Sequence, residues 1–357
     1  MLLDVPFIPD GGYAAFLADH AESVGSVHFS LASPLVQDAR QRLAKGDPDR
    51  LVRGLNTLPG VDKYALVNTR LHAPGRYFDL AGLDRTGELL LRLADEADIR
   101  GLIFADGYYL NALSARCPDV AARLEAVPSI NCLLDAPDRI FATLDMIGQT
   151  AFRPPSRLVL DRALNRDAKR LRDVAGRVRR AFPGIRLLLM ANEGCLYQCP
   201  YKLAHDAHIS LVNEGLCGDR TFALNREFGC VRRMLADPGS LLASPFIRPE
   251  DLSLYESVAD GIKLCGRNRG APFLKRAVDA YVDRRYAGNL LDLMDAMGDL
   301  ADRVLVPNPD LPAGFADRVT SCDKHCRECG WCAGVMESVA VRTDPGLPSF
   351  QNDISHP

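Results

Sequence analysis

GLIFAD (Gly101–Asp106), SINCLL (Ser129–Leu134), RLVLD (Arg157–Asp161) and IRLLLMA (Ile185–Ala191) follow one another along the chain. Their centres, near Ile103, Asn131, Val159 and Leu188, are spaced 28, 28 and 29 residues apart. Each run is short, nearly continuously apolar and bounded by turn or polar residues. That is the signature of a parallel strand buried on both faces. A steady pitch of this size fits one strand and one helix per step. Working outward, VGSVHFSL (Val24–Leu31), KYALVNT (Lys63–Thr69), HISLVN (His208–Asn213) and GIKLC (Gly261–Cys265) read as further strands. Helical patterns fall between them at Arg85–Ala97, Asp138–Gln149 and Asn165–Phe182, the last with Asn165 as its expected N-cap and Gly184 as its stop. A doubly wound sheet has a similar pitch. Eight strands, with no glycine-rich turn after the first, favour an α/β fold of the TIM-like (β/α)8 barrel type.

The barrel is expected over residues 1–290. Phe273–Tyr286 and Leu290–Leu300 read as amphipathic helices, and Pro307, Pro309 and Pro312 as a linker. Residues 291–357 thus form a C-terminal helix, a linker and a Cys-rich metal-binding tail that ends in a polar, Pro-containing stretch. Hydrophobic residues make up 47% of the 357 and charged residues 25%, which excludes collagen-like, coiled-coil and disordered classes. The 43 basic and 46 acidic residues leave a net charge of −3, so no bulk charge draws the chain to nucleic acid or anionic lipid. No run approaches the 18 or so apolar residues of a membrane span. The opening Met1-Leu2-Leu3-Asp4 places an acid where a signal peptide carries basic residues. A cytoplasmic, reducing location with no membrane partner is the expectation.

Eleven cysteines are the anomaly. In a long chain of this kind, clustered cysteines read as metal or redox sites rather than as a disulfide framework. Cys117 and Cys132 are isolated and read as core thiols. The stretch Asn192-Glu193-Gly194-Cys195-Leu196-Tyr197-Gln198-Cys199-Pro200-Tyr201-Lys202 sits just past a strand's C-terminal end, where βα-barrel sites are built. Cys230 and Cys265 are its candidate partners, and Cys217 is the rival for the third position. Structural zinc sites usually take two short Cys-x2–4-Cys knuckles, whereas iron–sulfur clusters accept ligands this dispersed.

A second constellation, Cys322, Cys326, Cys329 and Cys332, places four thiols in eleven residues. It reads as a second metal centre, either iron–sulfur or zinc with His325 as a further ligand, shielded by Trp331. Its Cys-x3-Cys-x2-Cys part has radical S-adenosylmethionine spacing, but such motifs belong early in a barrel.

His205, His208, Glu193 and Arg267 are the candidate catalytic groups, with satisfied loop histidines as the plain alternative for the first two. Asp106, Asp135, Asp161 and Arg162 also sit at strand ends, where either substrate contacts or ion pairs are expected. The basic set Arg166, Lys169, Arg170, Arg172, Arg177, Arg179 and Arg180 reads mostly as a solvated helix face.

The central motif at 192–202, with Ser-Pro-Phe-Ile-Arg-Pro-Glu-Asp-Leu (244–252) and Gly-Ile-Lys-Leu-Cys-Gly-Arg (261–267), resembles the U32 peptidase family. The resemblance runs over residues 20–290, and 190–267 is its specific part. It implies a βα barrel with a 4Fe-4S cluster on Cys195, Cys199, Cys230 and Cys265. The family was named for collagenase-like proteases, yet several members are tied to oxygen-independent hydroxylation of ubiquinone precursors or of RNA bases. Two departures stand out. The Cys195–Cys199 pair is closer than in the ubiquinone-pathway relatives, and the Cys322–Cys332 motif lies outside the match.

The leading expectation is an iron–sulfur oxidoreductase acting on a small molecule or RNA base, served by an electron-transfer partner such as a paralogous subunit. A peptidase is the first alternative, although no nucleophile–base pair or hydrolytic zinc can be named for it. A non-catalytic iron–sulfur subunit is the other.

Overall fold

The computed structural model describes residues 1–31, 33, 36–40 and 46–342. Eight parallel strands form one sheet: β1 (Leu2–Phe7), β2 (Val24–Ser30), β3 (Asp62–Val67), β4 (Gly101–Phe104), β5 (Glu125–Pro128), β6 (Arg157–Leu160), β7 (Arg186–Met190) and β8 (Gly261–Lys263). Their order is β5-β4-β3-β2-β1-β8-β7-β6, so β1 pairs with both β2 and β8 and the sheet curls round on itself. The free edges meet through the residues just before β6. Ala126 N–H donates to the Arg153 carbonyl at 3.1 Å, and Arg153 N–H to the Leu124 carbonyl at 2.9 Å. This is a nearly closed (β/α)8 barrel.

The outward faces carry residues such as Val5, Phe29, Leu102, Leu158, Leu187 and Ile262. They pack in one continuous core against Leu17, Leu55, Leu90, Val174 and Val278 of the surrounding helices. Inward residues are mixed. Ile130, Val159, Leu188, Met190 and Cys265 form one apolar cluster, and Tyr64, Leu66, Ile103 and Val127 another. Between them lies a buried charged network. Lys263 Nζ sits 2.5 Å from Asp4, His28 Nδ1 3.2 Å from Asp4, and Arg157 reaches Asp4 from β6 across the interior at 3.2 Å.

That network explains the strand missed from the sequence. β1, LLDVPF, carries Asp4 into the barrel and Pro6 in mid-strand, so it shows no apolar run. Conversely, HISLVN is not a strand. It is the second half of the helix Lys202–Asn213, which buries Asp206, Ser210 and Val212. A six-residue apolar run cannot by periodicity be told from one face of a helix. The strand expected at Ser129–Leu134 lies four residues earlier. Ile130–Cys132 is instead a 3₁₀ turn, and Leu133 is left-handed at φ 55°.

Asn165 is not an N-cap. Asp167 caps the helix Ala168–Ala181 by accepting from Arg170 N–H at 3.0 Å. Fully buried Asn165 instead donates to the carbonyls of Met190 and Pro245 at 2.7 and 2.8 Å.

The segment after β8 departs further. Gly270–Val282 is helical, but the region read as a helix at Leu290–Leu300 is two 3₁₀ turns and the short helix Gly298–Ala301. The prolines of 307–312 do not form a free linker. Asn308 is 1% exposed and donates to Glu250 and to the Tyr286 carbonyl, both at 2.8 Å. Val304–Leu305 pairs antiparallel with Val341–Arg342. These residues share a second core with the long β7–β8 connection, in which Leu196, Val231, Leu241 and Phe246 pack with Leu291, Met294, Phe315 and Met336. The expected polar tail beyond residue 342 lies outside the described residues. Among those described, no helix is long and apolar enough to cross a membrane.

Candidate thiolate centre at the barrel mouth

β7 runs into Asn192 and Glu193, both buried, and then into Gly194 at φ +73°, with Met297 packed close against it. This left-handed turn lifts Cys195 over the C-terminal mouth of the barrel. Asn192 ties two strand ends together. Its Oδ1 accepts from Cys265 N–H at 2.8 Å, and its Nδ2 donates to the carbonyls of Cys265 and Leu293 at 3.1 and 3.0 Å. Cys265, on the residue face shared with Lys263, therefore points into the barrel beneath the Cys195 loop.

A charged lattice surrounds these thiols. Glu193 is gripped by Arg162 at 2.6 Å and by Arg40 at 2.8 Å, and Arg40 also pairs with Asp295. Arg162 Nη1 lies 3.6 Å from Cys195 Sγ, while its Nε is buried with no hydrogen-bond partner. Burial alone would raise the Glu193 carboxyl, but Arg162 and Arg40 outweigh it and hold it at about 2. Burial, helped by Glu193, pushes the Cys195 thiol up to about 12 against the pull of Arg162 and Lys202. Burial also raises Cys265 well above the usual thiol range. Such thiols stay protonated until a metal displaces the proton.

Lys202 extends the polar surface, 2.6 Å from Asp206 and 3.0 Å from Asn131 Oδ1, while Arg70 donates to the Asn131 carbonyl. His205 is lowered by burial and by neighbouring Lys202, so it is neutral at pH 7. His208 Nε2 is buried without a hydrogen-bond partner. Arg267 is buried against Asp38.

No family model matches the chain. Over 181 residues it is 29% identical to an uncharacterized protease of Methanocaldococcus jannaschii, a match covering 50% of this chain and 52% of that protein. The chain thus spans about half the length of the curated relative it matches. Among solved structures it is similar to a U32 peptidase, with 13% identity and a TM-score of 0.48 over 74% of this chain and 92% of the other. It is also similar to a probable 3-DHS dehydratase from Bacillus anthracis, with 12% identity and a TM-score of 0.45 over 80% and 100%.

The other two cysteines expected beside Cys195 and Cys265 come from the β7–β8 connection. Cys199 lies on the turn before the helix Lys202–Asn213, and Cys230 opens the helix Cys230–Ala236. Both pack against the second core. Cys217 lies in the loop after Asn213, and no packing contact joins it to that core. None of the eleven cysteines is in a disulfide. Cys117 and Cys132 pack on the main core, with Cys132 Sγ 3.5 Å from the Phe104 carbonyl. Cys322, Cys326, Cys329 and Cys332 all line one cavity of about 440 Å³. A cavity of equal volume beside the N-terminal end of β6 is lined by Leu144, Pro154, Phe182 and Ile185 and carries no thiol.

Several strand-end groups prove structural. Asp106 caps the helix Gly107–Arg116 and binds His72 and Tyr77. Asp135 pairs with Arg139 and Arg170. Asp161 is raised by burial and accepts from Ala163 N–H. Arg166 corrects the reading of a solvated basic face. It is 2% exposed and clamps the Val319, Leu242 and Ser244 carbonyls, whereas Lys169, Arg172 and Arg180 do face solvent.

Sequence reasoning missed Arg40, Asn131, Asn192 and Asp295. Arg40 and Asp295 come from distant loops with no local pattern. Asn131 was hidden inside a supposed strand. Asn192 lay in the motif itself, and its position one residue beyond the strand's last apolar pair was the available signal.

Proposed function

We propose that the chain is an iron–sulfur oxidoreductase whose barrel mouth holds a 4Fe-4S cluster on Cys195, Cys199, Cys230 and Cys265. Its reaction would be an oxygen-independent hydroxylation, or a related redox modification, of an organic substrate or RNA base. One observation supports this reading: buried Cys265 and half-buried Cys195, from adjacent strand ends, lie together beside Arg162 and Arg40.

The donor set fits the group. Soft thiols suit iron–sulfur chemistry, and Arg162 offers an unpartnered buried N–H beside Cys195. When bound, such a cluster supplies electron transfer, at a potential set by burial and hydrogen bonds.

The chain's own groups have distinct tasks. Asn192 fixes Cys265, and Glu193 neutralises Arg162 and Arg40 so that neither drifts from the thiols. Lys202, Asn131 and Asp206 offer polar contacts to a substrate, and neutral His205 is placed to accept a proton from it. Packing of Cys199 and Cys230 on one core supports Cys230 over Cys217 as third ligand.

The test is anaerobic purification followed by iron, sulfide and zinc analysis and a visible spectrum. About four iron and four sulfide per centre are expected, with a charge-transfer band that weakens in Cys195→Ala. Zinc without sulfide would sink the reading. Peptide-bond cleavage by metal-free chain would point instead to a protease, like the uncharacterized protease of Methanocaldococcus jannaschii.

A further inference from the structure

The C-terminal cysteines are not absorbed by the barrel-mouth site. Cys322 follows the helix Phe315–Ser321, Cys326 and Cys329 bound a single helical turn, and Gly330 at φ 61° reverses the chain so that Cys332 enters the helix Trp331–Val339. The two turns bring all four thiols to the wall of one cavity. Arg166, Arg233, Arg318 and Lys324 line it beside three carboxylates.

A single zinc ion holds each sulfur at about 2.3 Å, which requires sulfurs about 4 Å apart. Among the described residues no three His, Cys, Asp or Glu side chains stand close enough together to hold a metal ion. The four thiols all line one space of about 440 Å³, which has room for a cluster of several metal atoms bridged by sulfide. The same cavity is lined by Leu196 and Tyr197, from the loop that carries Cys195 and Cys199.

We propose that Cys322, Cys326, Cys329 and Cys332 hold a second, polynuclear iron–sulfur cluster, seated against the Leu196–Tyr197 wall of the barrel-mouth loop. The site stands on its own residues; only its description as the second of two centres rests on the function proposed above. Nearby cations offset the negative charge of a thiolate cluster, and buried Arg166, which also draws down the burial-raised Cys332 thiol, is the innermost of them.

The site carries its own reporter. Trp331 is the only tryptophan of the chain and lines the cavity. An iron–sulfur cluster absorbs where tryptophan emits and quenches it, whereas zinc does not.

The experiment uses the full chain, purified without oxygen from iron-replete cells, as wild type, as Cys326→Ser/Cys329→Ser and as Cys195→Ala/Cys265→Ala. Cys326 and Cys329 are exposed, so their replacement leaves both cores intact. Circular dichroism of the metal-free variants checks this. About eight iron and eight sulfide per wild-type chain are expected, and about four in each double variant. Trp331 emission should be quenched in the wild type and the barrel-mouth variant, and recovered several-fold in the tail variant.

Retention of wild-type iron and quenching by the tail variant would overturn the proposal. So would zinc without sulfide in the barrel-mouth variant, or two double variants that are both empty, which would mean one shared centre. If the barrel-mouth variant keeps all the iron while the tail variant loses it, the tail site stands and the barrel-mouth reading falls.

Discussion

Replacing Asn192 with Ala tests whether the barrel mouth is preorganised by hydrogen bonding. Asn192 is fully buried and its side chain makes four hydrogen bonds of 2.8–3.3 Å: two accepted from the Cys265 N–H and thiol, and two donated to the Cys265 and Leu293 carbonyls. Asn192→Ala removes all four and puts nothing polar in their place. A buried group deprived of its partner costs about 1–3 kcal/mol, and coupled losses add incompletely, so the expected loss is about 3–5 kcal/mol. At a urea slope of about 3 kcal/mol per M, the unfolding midpoint falls by about 1–1.7 M. The measurement belongs on metal-free protein, where ligation does not contribute. Because the same bonds hold the Cys265 backbone, iron content of the anaerobic variant should fall as well. A metal-free variant within 1 kcal/mol of wild type, with unchanged iron, would refute the view that Asn192 positions Cys265.

Three further outcomes follow from the same geometry. His28 is held near 4 by burial and by Lys263, below its unfolded value of about 6.5, so the unfolded chain takes up the proton first as pH falls. Wild type should therefore lose about 2 kcal/mol more stability than His28→Gln between pH 7 and pH 5, measured by urea unfolding; equal slopes would contradict this. Gly266 stands at φ +117°, and a Cβ there would lie 2.2 Å from the Phe273 ring, so Gly266→Ala should cost about 3–5 kcal/mol, read by the same method. Cys230→Ala should lower barrel-mouth iron while Cys217→Ala leaves it unchanged, and the reverse result would reassign the third ligand.

The sequence made the barrel legible because β4, β6 and β7 are short, nearly continuously apolar runs on a steady pitch of 28–29 residues per step. It hid β1 because a barrel of this size can bury Asp4 against Lys263, His28 and Arg157, a compensation that comes from three distant strands. The count of eight strands was nonetheless reached, since the helix segment His208–Asn213 stood in for β1. The cysteines were equally visible, but their setting was not. Arg40 and Asp295 meet Glu193 only through tertiary packing, and no spacing rule links residues 40, 193 and 295. The proline-rich 307–312 stretch looked like a linker because its side chains are small or polar. Asn308, by bonding Glu250 and Tyr286, turns it into part of the second core. That core draws on both the β7–β8 connection and the C-terminal segment, and Leu196 and Tyr197 of the Cys195–Cys199 loop line the cavity of the C-terminal thiols.

The most direct measurement of the central claim is anomalous diffraction at the iron edge from crystals grown without oxygen. The account predicts a cluster of iron peaks, one at bonding distance from Cys195 Sγ and another at bonding distance from Cys265 Sγ. A peak at the zinc edge alone, or no metal peak between these two sulfurs, would contradict it.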